Sequence, residues 1–262
     1  MDLSVFQGRK KELFGAGIVL LPANVTYFLK DMSMIRPIIT LRRKRVLVDV
    51  DIQRDAFLAT SPNCIKNHRR VLANIRRLMG WARLKNVRQI STVRDFYEDE
   101  DHHTHNNPDS KYLNKISYTV RSNHIIYSAD GCTDLPRDIF RQYNQVVLHK
   151  RCENPFKEPR ADRMLSELRA DEFLIMGALT EEAVKETVLG LLARKKYVTV
   201  LTDACGSREK NAAEIALRQM QAKGARLIEV KALLGTSCLK QVGVCGCDRC
   251  LGKLAKSLAN TG

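Results

Sequence analysis

Phe173-Leu174-Ile175-Met176-Gly177-Ala178-Leu179-Thr180-Glu181-Glu182-Ala183-Val184 is the stretch that decides the fold. It opens with an unbroken apolar run, too short for a helix core and suited to a strand buried on both faces. After Gly177 the pattern changes period, and the residues from Thr180 to about 194 read as an amphipathic helix. A buried strand that passes through a glycine directly into a helix is half of a βα unit.

Working outward in both directions, the same alternation recurs. Strands are predicted near 46–50, 87–92, 145–149, 172–176, 197–201 and 226–230, with helices over 62–84, 161–169, 180–194 and 208–222. The helix over 62–84 carries a start signal, Pro62 after Ser61. It places Val71, Ile75, Leu78 and Met79 on one face and its arginines on the other. Six strands alternating with helices predict an α/β domain whose mainly parallel sheet is covered by helices on both faces, with reactive groups gathered at the carboxyl ends of the strands. Residues 1–40 lack clear periodicity and read as an N-terminal extension. Residues 41–235 form the domain, and 236–262 are a cysteine-rich tail.

The chain has 262 residues, 44 Lys and Arg against 29 Asp and Glu, and a formal charge of +15. That excess suits polyanions, acidic membrane surfaces or anionic substrates, and equally a soluble basic surface with none of these partners. Basic residues cluster at Arg42-Arg43-Lys44-Arg45 and along Lys66, Arg69, Arg70, Arg76 and Arg77. No aromatic stacking pattern accompanies them, so nucleic acid ranks behind a small-molecule substrate or ligand as partner. No apolar run is long enough to span a bilayer, and no membrane association is expected. Of the eight cysteines, Cys64, Cys132, Cys152 and Cys205 are scattered singly, as expected for reduced thiols in a cytoplasm.

Two strand ends carry charge. Asp51 follows Val46-Leu47-Val48-Asp49-Val50, and Lys150 follows Val146-Val147-Leu148-His149. A carboxylate at the end of a buried strand either meets a cation or serves in acid–base chemistry, whereas in an open βα loop it is a surface residue. Lys150 read singly is a solvated strand-end lysine.

These phrases together resemble the isochorismatase-like family, the cysteine hydrolases that include nicotinamidases. Val50-Asp51-Ile52-Gln53-Arg54-Asp55-Ala56-Phe57 is similar to the family's Asp-x-Gln-x-Asp-Phe motif with Ala56 added. Lys150 followed by Pro155-Phe156 is similar to its lysine segment. Gly177-Ala178-Leu179-Thr180-Glu181-Glu182-Ala183-Val184 is similar to its Gly-x-x-Thr-x-x-Cys-Val turn. The resemblance implies a three-layer αβα fold with a six-stranded sheet, a homo-oligomer, Asp51 and Lys150 as catalytic residues, and Thr180 in a turn that forms an oxyanion hole and commonly includes a cis peptide without proline. It also implies that Ala183 occupies the nucleophile's position. A covalent thioester route is then closed, and two readings stay open. One is hydrolysis through the Asp51/Lys150 pair, as in isochorismatases proper, which protonate a vinyl ether without a covalent intermediate. The other is an inactive relative that binds or scaffolds, with an anionic partner. Cys205, in Thr202-Asp203-Ala204-Cys205, is similar to a family cysteine that is not the nucleophile.

Two metal sites are candidates. Resemblance to nicotinamidases implies Asp95, His103 and His124 as ligands, with Tyr97 where a further histidine is expected. The alternative is a polar loop with adventitious histidines. In the tail, Cys238, Cys245, Cys247 and Cys250 would close a structural zinc site, or remain free thiols.

Overall fold

The computed structural model describes residues 44–95 and 114–238, with side chains through 235. The chain separates into two units, Met1–Arg42 and Arg43–Gly262, and every described residue belongs to the second. In chain order its strands are β1 (Arg45–Val50), β2 (Arg88–Arg94), β3 (His124–Tyr127), β4 (Gln145–Lys150), β5 (Glu172–Ala178), β6 (Val198–Gly206) and β7 (Arg226–Ile228). Its helices are α1 (Arg54–Phe57), α2 (His68–Leu84), α3 (Ile139–Gln142), α4 (Pro159–Glu167), α5 (Lys185–Ala193), α6 (Lys210–Ala222) and α7 (Val230–Cys238).

The strands form one sheet in the order β3-β4-β2-β1-β5-β6-β7, and every neighbouring pair is parallel. Val46, Val48 and Val50 of β1 face a core closed by α4, α5 and α6. Leu47 faces the other core, closed by α2 and α7. In α2 the buried Val71, Ile75, Leu78, Met79 and Ala82 recur at three- and four-residue intervals, one stripe of a helix laid on the sheet. The result is three layers, αβα.

The sheet has seven strands where the sequence predicts six. The additional one, β3, is a four-residue edge strand with Ile126 more than half exposed, and its apolar run of Ile125, Ile126 and Tyr127 is too short to stand out. The predicted helix over 62–84 begins at His68 instead. The Ser61 hydroxyl, read as part of a helix start, donates to Asp55 at 2.9 Å, and the Asn63 side-chain amide donates to the same carboxylate. The segment after Pro62 is thereby tied into a loop. β5 and β6 also run beyond their predicted ends, to Ala178 and Gly206, past an irregularity between Ile175 and Gly177.

The chain leaves β1 toward β2 on one side of the sheet and returns to pair β5 on the other. Neighbouring strands whose connections run in opposite directions leave a crevice at their carboxyl ends, where open α/β sheets bind ligands. Here those ends are Val50-Asp51 and Gly177-Ala178.

Candidate active site

Val50, the last residue of β1, pairs with Gly177 of β5. A Cβ on Gly177 would lie 2.0 Å from the Val50 carbonyl oxygen, and the residue has φ +141°, so this approach of two backbones requires glycine. The following Ala178–Leu179 peptide is cis. Thr180 then donates its hydroxyl to the Gly206 carbonyl at 2.9 Å, which fixes the turn to the end of β6. From Thr180 to Val184 the chain makes one wide π-type turn before α5 begins. Ala183 is buried in that turn.

Asp51 has φ +47°, a conformation that an aspartate tolerates better than most residues, and it turns the chain out of β1. Its amide donates to the Thr92 hydroxyl, which in turn donates to Asp51 Oδ1 at 2.6 Å. The second oxygen, Oδ2, accepts from Lys150 Nζ at 2.6 Å. Lys150 is wholly buried, and its remaining protons go to the carbonyls of Cys152 at 2.9 Å and Glu153 at 3.1 Å. All three donors of the ammonium are therefore used, the condition under which a buried charge is tolerable. Asp51 is the member of the pair that keeps an opening to the outside.

That opening is a cleft lined by Asp51 and Ala183 together with Glu182, Arg94 and Arg208. Arg94, at the end of β2, pairs with Glu153 at 2.9 Å, and its backbone is clamped by both ends of the Gln53 amide. Thr92, Arg94 and Arg208 are absent from the sequence-derived candidates. Arg94 stands at the carboxyl end of a strand, where that rule would have pointed. Arg208 was hidden because β6 was expected to end at 201, which left it remote from the sheet.

The model matching residues 45–232 of the chain is that of the isochorismatase domain. The chain belongs to the isochorismatase family. Among solved structures, this isochorismatase-family chain resembles an isochorismatase family protein from Desulfovibrio vulgaris subsp. vulgaris str. Hildenborough, at 20% identity and TM-score 0.56, over 73% of this chain and 97% of that one. It also resembles the pyrazinamidase of Pyrococcus horikoshii in complex with zinc, at 18% identity and TM-score 0.54, over 71% and 99%. A third is the MAR1 ribonuclease of Caenorhabditis elegans, at 19% identity and TM-score 0.51, over 78% and 90%. At such identities the likeness is one of fold. A comparison with curated protein sequences gives no match.

Of the metal set Asp95, His103 and His124, the two described members, Asp95 and His124, lie apart. His124 opens β3 in register with Gln145, at the amino end of the sheet, and its Nδ1 lies 2.6 Å from the Arg121 carbonyl. Asp95 follows the pair Arg94 and Lys150 at the carboxyl end. About six strand residues at roughly 3.3 Å each separate the two levels, near 20 Å. Asp95 instead meets His149, whose Nδ1 lies 2.8 Å from its carboxylate. His103 and Tyr97 lie outside the described residues, as do Cys245, Cys247, Cys250 and the side chain of Cys238. No group of three metal-ligating side chains occurs among the described residues.

Cys205 offers no substitute nucleophile. It is buried beside Gly177, and burial pushes its thiol up from 9.0 to about 12. The Gly177 amide hydrogen bond opposes that rise, and the Asp203 carboxylate adds to it. A thiol held protonated is inert. None of Cys64, Cys132, Cys152 and Cys205 is in a disulfide. No described helix is long and apolar enough to cross a membrane.

Proposed function

We propose that this chain is a hydrolase that works without a covalent intermediate, with Asp51 as its acid–base residue and Lys150 holding that carboxylate in place. The supporting observation is the 2.6 Å contact between Lys150 and Asp51 at the head of a cleft whose wall includes the methyl group of Ala183. With no thiol at that position, water is the nucleophile. Asp51 accepts a proton from the attacking water and returns it to the leaving group, so the carboxylate is regenerated. With a vinyl ether the order is reversed: the carboxyl protonates carbon and recovers its proton from the water that adds. The cleft wall carries both signs of charge, Arg94 and Arg208 beside Asp55 and Glu182, which suits a small polar substrate. The test is turnover of a panel of small amides, esters and vinyl ethers by the full chain and by Asp51→Asn. Turnover abolished by the substitution in protein that is still folded by circular dichroism supports the reading. No turnover across the panel, with ligands still bound, favours the second reading.

That second reading is a binding protein for an anionic partner. It is supported by the charge of +15 and by the appearance of a ribonuclease among the structures of like fold.

A further inference from the structure

Between Asp55 and Asp95 the chain contains nine lysines and arginines and not one Asp or Glu. Folding sorts these charges. Ile75, Leu78, Met79 and Ala82 of α2 go into the core, while Lys66, Arg69, Arg70, Arg76, Arg77 and Lys85 are all exposed. None of the six makes an ion pair among the described residues.

Two of these arginines are held by neutral partners, which orient the guanidinium without cancelling its charge. Arg76 lies over the Tyr118 ring, 4.9 Å from its centroid. Arg77 donates to the Asn74 side-chain oxygen at 3.2 Å, and Asn74 is itself fixed by donating to the Asp203 carbonyl at 2.8 Å and to the Asp203 carboxylate at 3.0 Å. A guanidinium oriented in this way loses less entropy when it grips an oxyanion. The arrangement also opposes helix stability. The first turn of α2 has Arg69 and Arg70 and no acidic residue, so cations sit at the positive end of the helix dipole. A bound anion removes that repulsion.

We propose that the outer face of α2 binds the phosphodiester backbone of a nucleic acid. The pairs Arg69/Arg70 and Arg76/Arg77 are seven residues apart, about 10 Å along the axis at about 1.5 Å per residue. One small anion does not bridge that distance. A nucleic-acid strand, which carries a phosphate at every nucleotide, presents more than one charge over that span. An anionic membrane is disfavoured because the face has no apolar wedge to insert: Ala73 stands between the arginine pairs, and exposed Leu84 lies at the far end of the helix. The surface extends the second functional reading, and it is independent of turnover at Asp51 because binding, not product, is measured.

The experiment is a salt titration of a fluorescently labelled 20-nucleotide single-stranded RNA against the full chain, followed by anisotropy. The comparison is with Arg69→Gln/Arg70→Gln/Arg76→Gln/Arg77→Gln and with a control of equal charge change, Arg137→Gln/Arg141→Gln/Arg169→Gln/Lys195→Gln. At about 0.7 per phosphate contact on a single strand, the α2 variant's plot of log affinity against log salt should be shallower by about 3, with affinity at least about tenfold weaker at 100 mM salt. The control should retain the wild-type slope. All four α2 side chains are exposed, so the thermal unfolding midpoint should stay near that of the wild type. Equal losses in both variants, an α2 variant that binds as the wild type does, or binding to phosphatidylserine vesicles without binding to RNA would each overturn the proposal.

Discussion

Lys150 and Asp51 are 99 positions apart in the chain, yet the ammonium of one lies 2.6 Å from the carboxylate of the other, and the lysine has no exposed surface. Parallel register makes this possible. β1 is flanked by β2, and β2 by β4, so the residues that end β1 and β4 reach the same edge of the sheet.

Removing either partner leaves a buried charge without its counter-ion. Asp51→Asn and Lys150→Met should each destabilise the fold by about 3–5 kcal/mol. Urea unfolding of the two single variants and the double variant checks this: the double variant should lose clearly less than the sum. Additive losses would mean the pair does not interact as placed.

Gly177→Ala should be among the most damaging single substitutions in the domain. The added methyl would stand 2.0 Å from the Val50 oxygen at a φ of +141°. Separation of β1 from β5 at the site, with a loss of more than about 3 kcal/mol, is the expected result. Near-native stability and an unshifted urea midpoint would refute it.

Ala183 lines the cleft. Ala183→Cys should therefore introduce a thiol that a small chloroacetamide modifies, detected by mass spectrometry of the peptide containing residue 183. If that residue stays unmodified in the folded protein while the unfolded chain reacts, the position does not open to the cleft.

Cys205 should resist the same reagent at pH 8, because a thiol raised to about 12 is ionised there in roughly one molecule in ten thousand. The direction of the shift also sets a pH dependence. The folded thiol holds its proton more tightly than the unfolded one, so its contribution to stability is complete below pH 9 and is lost between pH 9 and about 12. Unfolding midpoints measured across that range should fall less steeply in Cys205→Ala than in the wild type.

The sequence by itself determined the α/β alternation, the parallel sheet, the family and the phrases around Asp51, Lys150 and Thr180, because strand burial and helical period are local patterns that leave a direct trace in residue order. It did not reveal β3, whose Ile-Ile-Tyr run is too short to stand out, nor the start of α2, where Ser61 and Asn63 were taken by Asp55. It singled out Asp51 at the end of β1 but gave no role to Asp49 within the strand. Folding buries Asp49 against Gln89, Ser91 and Lys115, and opens Asp51 to the cleft. Only tertiary structure decided that Arg94 and Arg208 share the site with Asp51, and that Asp95 meets His149 while His124 lies at the other end of the sheet. Each of these depends on which strands are neighbours and in what register. That choice is made by long-range packing between segments, and no stretch of the chain encodes it alone.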